Sequence, residues 1–139
     1  MCGIVAVRGR DTGVLAADLL DLIRHRGPDG SGLLELDGCS LAMARLAILD
    51  PTDRANQPMS YEGRHLVYNG EIYNFRALRS ELEAAGTSFV TTGDTEVLQA
   101  KNRHGNNRVR LHEGKSCDRS DGEQTDRDHE RPTVFDLAA

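Results

Sequence analysis

The chain starts with the stretch that decides the fold, Met1-Cys2-Gly3-Ile4-Val5-Ala6-Val7-Arg8. Residues 2–8 are mostly apolar and include β-branched side chains, which predicts a short buried strand. Gly9 and the Asp11-Thr12-Gly13 run that follows predict the turn that ends this strand. We therefore expect a sheet to begin with the first residues of the chain.

A helix is predicted directly after this turn. Four apolar side chains recur at the spacing of one helical face, so they are expected to point toward the core. Gly27-Pro28 ends the element, because neither residue type continues a helix well. The four apolar residues are Leu15, Leu19, Leu22 and Ile23.

Strands and helices continue through the first hundred residues. Runs at residues 33–36 and 41–49 flank Asp37-Gly38, a pair that predicts an antiparallel hairpin. Further strands are expected at residues 65–68 and 88–91. One helix is predicted between Asn74, as N-cap, and Gly86 after its last turn, and another over residues 95–100. This order of elements predicts an α+β fold.

Composition divides the chain near residue 100. The first 100 residues contain 45 apolar residues and no Lys, whereas the last 39 contain eight apolar residues and both Lys. A segment this polar buries too little apolar area to offset the entropy lost on ordering. We predict a partial domain over residues 1–100 and a disordered tail over 101–139 that adds nothing to the core or to substrate binding. We interpret the shift as a changed reading frame or an early stop, and a genuine short variant remains open.

Charge and cysteine content exclude several classes of protein. The net charge is −5, which disfavours binding to nucleic acid. No apolar run approaches the length of a membrane span and no basic leader precedes one, so a cytoplasmic protein is expected. Cys2, Cys39 and Cys117 lack C-x-x-C spacing, and His104, His112 and His129 lack ligand spacing. Neither a disulfide framework nor a metal site is therefore expected.

Cys2 is the candidate nucleophile. Removal of Met1 leaves its thiol within a few ångströms of a free α-amine, whose ordinary pKa of about 7.7–8.0 lets it accept the thiol proton at neutral pH. No catalytic histidine is required for this arrangement. The alternative interpretation is a small buried core residue, since free cysteine is often buried.

Five ordered motifs give the chain a family resemblance. It resembles the class II glutamine amidotransferase domain, the N-terminal-nucleophile glutaminase type, and within that class it is similar to glutamine-dependent asparagine synthetases. The resemblance covers residues 1 to about 100. The motifs are Cys2-Gly3-Ile4-Val5, His25-Arg26-Gly27-Pro28-Asp29, Arg45-Leu46-Ala47-Ile48, Asn69-Gly70-Glu71-Ile72-Tyr73-Asn74 and Gly93-Asp94.

The resemblance implies how glutamine is held and attacked. Arg45 would clamp the α-carboxylate through its guanidinium fork, and Asp94 would bind the α-ammonium. Asn69 and Gly70 would form the oxyanion hole beside the nucleophile Cys2. The remaining expected pocket residues are Leu46, Ile48 and Glu71. Each has a structural alternative, such as a rim ion pair for Arg45, a helix N-cap for Asp94 and a plain turn for Asn69-Gly70.

The implied fold is an αββα sandwich of antiparallel sheets between helices, left incomplete by this chain. The implied function is release of ammonia from L-glutamine for amide transfer to aspartate. No cofactor is expected in this chain, because ATP and Mg²⁺ would belong to a missing synthetase domain. Association through unpaired sheet edges or with such a domain is expected. A non-catalytic fragment, or a sugar-phosphate or purine-pathway amidotransferase, remains open.

Overall fold

A computed structural model describes residues 2–103 and 133–138, and these residues form two antiparallel sheets and three α-helices. The sheets have the strand orders β1-β3-β2 and β4-β5-β6. The predicted α+β class is confirmed. The elements are β1 (Gly3–Arg8), α1 (Thr12–Ile23), β2 (Gly30–Leu36), β3 (Cys39–Arg45), β4 (Met59–Tyr61), β5 (Arg64–Asn69), α2 (Phe75–Ala84), α3 (Asp94–Arg103) and β6 (Thr133–Ala138).

The predicted hairpin joins β2 and β3. Gly38 adopts a φ of 72°, a left-handed conformation that glycine reaches without strain. Strand β3 ends at Arg45, whereas the sequence predicted a strand as far as residue 49. The strand ends early because the Leu46 N–H donates to Cys2 Sγ and the Ala47 N–H donates to a carboxylate oxygen of Asp29. Side chains thus bond the two backbone N–H groups that would otherwise continue the strand pairing.

Strand β3 is buried on both faces, and its alternating side chains contact different layers. Ala42 and Ala44 pack with Val5 against helix α1. Leu41 and Met43 point to the opposite face, where they pack against Val67 of β5. Because successive strand residues face opposite sides, one strand connects the helix layer to the second sheet.

The buried face of helix α1 overlaps the predicted one in part, because Leu19 and Ile23 pack against the core cluster as expected. Ala16 and Leu20 are buried, whereas Leu15 is 50% exposed and Leu22 is 71% exposed. Gly13 of α1 lies so close to β2 that a Cβ on this residue would be 2.0 Å from a carboxylate oxygen of Glu35. The sheet presents the small side chains of Ala42 and Ala44 to this helix, and the contact centres on Ala16 and Leu20, with Leu19 and Ile23 beside them.

The second sheet packs against α2 and α3. Leu66 and Tyr68 of β5 lie with Leu98 of α3 in one apolar cluster. Strand β4 was not predicted, and residues 88–91 form no strand in the structure. The Val90 and Thr91 N–H groups donate instead to the carboxylate of Glu96, in the first turn of α3. A side chain therefore replaces the expected strand partner.

The structure differs from the tail prediction at both ends of the tail. Helix α3 extends through Arg103, and Thr133–Ala138 forms β6, which pairs antiparallel with Arg64–Asn69. The last strand is rich in β-branched and aromatic residue types, and β5 offers it an edge. The disorder predicted for residues 104–132, the role of Cys117 and the three tail histidines lie outside the described residues. In the part of the chain that the structure describes, no helix has the length and apolar character needed to cross a membrane.

Candidate active site

A cavity of about 420 Å³ is lined by residues from both sheets and from the loops at their ends. This volume falls in the range of small-molecule sites. All eight site residues expected from the sequence line it, although they are spread over more than ninety positions of the chain. They are Cys2, Arg45, Leu46, Ile48, Asn69, Gly70, Glu71 and Asp94.

Strand geometry explains why three of these residues converge. Cys2 precedes β1 and shares a side with Ile4, which packs toward β5. Arg45 follows Met43 on the same face of β3, and Asn69 follows Val67 on the facing side of β5. Since side chains two positions apart share a face, the three strands direct these residues toward one gap.

The Cys2 thiol contacts the first peptide group after β3. The Leu46 N–H donates to Cys2 Sγ at 3.3 Å, and Sγ donates to the Leu46 carbonyl oxygen at 3.7 Å. The Arg26 Nε also donates to the carbonyl oxygen of Cys2 at 3.2 Å. A thiolate, the nucleophilic form of cysteine, accepts a backbone N–H bond of this kind. The sulfur is thus held at the cavity wall by a group that suits its reactive form.

The loop that carries Arg26 lies directly over the end of β3. A Cβ on Gly27 would lie 2.4 Å from the backbone of Ala44, so only glycine fits this contact. The Asp29 N–H donates to the Arg45 carbonyl oxygen at 3.0 Å. The His-Arg-Gly-Pro-Asp motif thereby fixes the backbone of Cys2 and the backbone at the end of β3.

The Arg45 guanidinium is buried and faces a loop. Its Nη1 donates to the carbonyl oxygen of Thr52 at 3.0 Å and to Asn56 Oδ1 at 3.0 Å. Its Nη2 donates to the carbonyl oxygens of Leu49, at 2.9 Å, and Asp50. The side chain expected to clamp a ligand carboxylate therefore also organises residues 49–56, a second role that the sequence did not indicate.

Asp94 places a buried carboxylate on the cavity wall. It begins α3, is 6% exposed, and accepts a hydrogen bond from the Ile72 N–H at 3.0 Å. Burial raises the pKa of Asp94 above its usual 3.8, and the Glu71 carboxylate raises it further, against the lowering effect of backbone N–H groups. Asp94 can both cap α3 and bind a ligand, because its carboxylate has two oxygens and one can accept a backbone N–H while the other contacts the ligand.

Several lining residues were missed or differently interpreted from the sequence. Tyr68, which is not among the predicted site residues, lies in the cavity wall, and burial followed by the charges of Asp94 and Glu71 raises its pKa. Gln57 is buried, donates to Thr95 Oγ1 at 3.2 Å and accepts from the Tyr68 N–H at 2.6 Å. No sequence pattern marks Gln57, because its partners lie 38 and 11 positions away.

The charges around the cavity suit a small zwitterion. Arg45 supplies a guanidinium for a carboxylate, while Asp94 and Glu71 supply negative charge for an ammonium. Cys2 and Asn69 add a thiol and an amide donor at the same cavity. Among the residues that the structure describes, no group of three or more His, Cys, Asp and Glu is arranged to hold a metal ion.

Comparisons with known proteins place most of the chain in one family. Residues 1–115 match the family model described as a glutamine amidotransferase domain. The chain is similar to asparagine synthetase [glutamine-hydrolyzing] 1 of Bacillus subtilis, with 42% identity over 113 residues, 75% of this chain and 18% of the relative. It is also similar to asparagine synthetase [glutamine-hydrolyzing] 3 of Arabidopsis thaliana, with 43% identity over 105 residues, 70% of this chain and 18% of the relative.

A third relative extends the match along the chain. Asparagine synthetase [glutamine-hydrolyzing] of Sandersonia aurantiaca is 39% identical over 122 residues, 82% of this chain and 23% of the relative. The chain thus spans about a fifth of the length of the curated relatives that it matches. The family model alone covers most of its residues. The chain belongs to the class II glutamine amidotransferase domain family.

Proposed function

We propose that this chain is the glutaminase part of a glutamine-hydrolysing asparagine synthetase, and that it releases ammonia from glutamine. The observation that carries the proposal is the convergence of Cys2, Arg45, Asn69 and Asp94 on one cavity. The names of the curated relatives support asparagine as the final product of the longer protein.

Cys2 acts as the nucleophile in the proposed reaction. After Met1 is removed, the α-amine of Cys2 takes the thiol proton, and the thiolate attacks the side-chain amide carbon of glutamine. The C–N bond breaks, and ammonia leaves with that proton. A γ-glutamyl thioester remains on Cys2. Water hydrolyses it to glutamate and restores the thiol, so glutamine and water give glutamate and ammonia.

Asn69 and Gly70 stabilise the negative charge that develops on the amide oxygen. Asn69 ends β5 and lines the cavity, and the Gly70 backbone N–H follows it in the chain. Donors fixed before the reaction need no rearrangement when the charge appears, which is why such groups lower the barrier.

Arg45 and Asp94 hold the two α-substituents of glutamine. The substrate carboxylate pairs with the charged guanidinium of Arg45, which keeps its bonds to the loop carbonyl oxygens. Asp94 pairs with the α-ammonium, and Glu71 adds negative charge nearby. Leu46 and Ile48 complete the wall beside the side-chain amide.

The remaining parts of the reaction belong to a longer protein. We place ATP and Mg²⁺ in a separate synthetase domain, which would use the ammonia to amidate activated aspartate, and we expect the assembly to be cytoplasmic. The two sheets with helices outside them fit an αββα sandwich to which this chain contributes only a part. Sheet edges left by the missing strands would then bind further protein.

Incubating the purified chain with glutamine and measuring glutamate and ammonia tests this function. We expect equal amounts of the two products, and no asparagine when aspartate and ATP are added. The absence of both products would favour the non-catalytic fragment. Hydrolysis of several unrelated amides at the rate of glutamine would favour another N-terminal-nucleophile amidase.

Asp94→Asn should weaken glutamine binding about 10- to 100-fold at pH 7, because hydrogen bonds to charged groups contribute about 1.5–3 kcal/mol. The raised pKa of Asp94 gives the wild-type side chain a pH dependence. As the pH falls toward that pKa, Asp94 becomes protonated and loses its attraction for the ammonium. Affinity should therefore decline with falling pH in the wild type and stay flat in the variant.

Calorimetric titration with glutamine, in a Cys2→Ala background that blocks turnover, measures these affinities. Asp18→Asn on the exposed side of α1 is the matched control and should bind as the parent does. Equal affinities for the Asp94→Asn variant and its parent across the pH range would remove Asp94 from the substrate site.

A further inference from the structure

The loop after β3 is fixed from one side by Arg45. The guanidinium donates to the carbonyl oxygens of Leu49, Asp50 and Thr52, so three peptide groups of this loop depend on one side chain. Asp50 adopts a φ of 49°, in the left-handed region. That conformation lets its carbonyl group face Arg45 while its side chain points away from Arg45 toward another segment.

The Asp50 carboxylate reaches the segment that leads into α3. One of its oxygens, Oδ2, accepts the Thr92 N–H at 2.6 Å. The other, Oδ1, accepts the Thr52 hydroxyl at 2.6 Å and the Thr52 N–H at 3.2 Å. These bonds, the Thr52 hydroxyl foremost, lower the pKa of Asp50 to about 2, so the carboxylate is ionised at neutral pH.

The contact between the two segments is close. A Cβ built on Gly93 would lie 3.9 Å from Cβ of Asp50, which is van der Waals distance. Thr92 stands two positions before Asp94, and the residues that line the cavity include Arg45 and Asp94 but not Asp50. Asp50 therefore joins the two charged ends of the site through bonds made outside the cavity.

We propose that Asp50 is a positioning residue that sets the separation between the Arg45 guanidinium and the Asp94 carboxylate. This inference rests on the proposed function, in which these two groups hold the α-carboxylate and α-ammonium of glutamine. Both substituents are on one carbon atom of the substrate, so their separation is fixed. A binding site can satisfy both at once only if its own two charges are held at a matching distance.

A change at Asp50 should affect two kinds of ligand differently. Glutamine engages both charged ends of the site. Glutaramate, which has the same amide and carboxylate but no ammonium, engages only Arg45. A residue that sets the distance between the ends affects the first ligand, whereas a residue that merely stabilises the fold affects both ligands alike.

Asp50→Asn keeps the shape of the side chain but removes one of its two acceptor oxygens. In the full chain with Cys2→Ala, calorimetry should give a dissociation constant for glutamine raised about tenfold and one for glutaramate changed less than twofold. With Cys2 present, kcat should stay within threefold while KM for glutamine rises. Asp53→Asn, in the same loop, is the matched control, because within residues 2–103 the contact of its carboxylate is a weak one, a 3.4 Å bond from Asn56 Nδ2.

Asp50→Glu provides a second variant that keeps the charge and shifts the carboxylate by one methylene, and it should give a smaller increase for glutamine alone. An equal loss for glutamine and glutaramate, or Asp50→Asn binding that matches Asp53→Asn, would overturn the positioning role. If the Cys2→Ala parent binds no glutamine at all, the proposed function fails and this inference fails with it. Binding by the parent with no effect at Asp50 rejects the inference alone.

Discussion

Replacing Cys2 by alanine should reduce glutamine hydrolysis at least a thousandfold, because the proposed reaction passes through a bond to its sulfur. Losses of about this size or larger follow removal of a covalent nucleophile. The glutamate assay measures the effect directly. Binding of glutamine should persist, since Arg45 and Asp94 remain in place. We therefore expect kcat to fall at least a thousandfold while the affinity for glutamine stays within a few fold of the parent value.

Cys39→Ala is the matched control for this variant. Cys39 begins β3 and is half-buried, and it does not line the cavity. Its replacement should leave hydrolysis within about twofold, as should Cys117→Ala. Appreciable turnover by the Cys2→Ala chain, or a comparable loss on replacing Cys39, would contradict the assignment of the nucleophile.

Arg45→Met should have the second largest effect, because it removes both a ligand contact and the support of a loop. Three carbonyl oxygens of residues 49–52 lose a charged donor, and one hydrogen bond to a charged group contributes about 1.5–3 kcal/mol. We expect the free energy of unfolding to fall by at least that amount, and glutamine affinity to fall about a hundredfold. Urea unfolding and calorimetry in the Cys2→Ala background measure the two quantities.

Arg54→Met is the control, since Arg54 is an exposed arginine in the same loop. Its replacement should change neither quantity beyond error. An Arg45→Met chain that loses stability but binds glutamine as tightly as the parent would reduce Arg45 to a loop support and remove it from the substrate site.

The residues of the candidate site could be predicted because they stand in five motifs whose order resembles one family. The strand pattern did not place them, since Cys2 opens the first predicted strand and Arg45 lies inside the strand predicted over residues 41–49. The motif order supplied the chemistry expected of them. Their meeting at one cavity is found in the structure, while their individual roles stay predictions for the experiments above.

Other features depend on contacts that no local pattern contains. The buried face of α1 was predicted only in part. Leu19 and Ile23 pack against the core as expected, but Leu15 and Leu22 are exposed, because the contact centres on Ala16 and Leu20 where Ala42 and Ala44 leave room for a close approach. The end of β3 was misplaced because Cys2, 44 positions from Leu46 in the chain, takes its N–H. A strand was predicted at residues 88–91, but in the structure the Val90 and Thr91 N–H groups donate to the Glu96 carboxylate instead of to another strand.

The loop from β3 to β4 was the least predictable part of the site. Its sequence reads only as a chain break at Asp50-Pro51, yet Asp50 is bonded to Thr92, 42 positions away. Side-chain bonds to distant backbone groups leave no periodicity in the sequence. The positioning role proposed for Asp50 therefore depends on the structure alone.

Mass spectrometry of the chain after treatment with a glutamine-analogue alkylator tests the central claim most directly, because it reports the nucleophile and its state together. The account predicts a single adduct, on Cys2, in a chain that has lost Met1, and it predicts protection of Cys2 by excess glutamine. An adduct on Cys39, or an adduct on Cys2 in a chain that retains Met1, would contradict it.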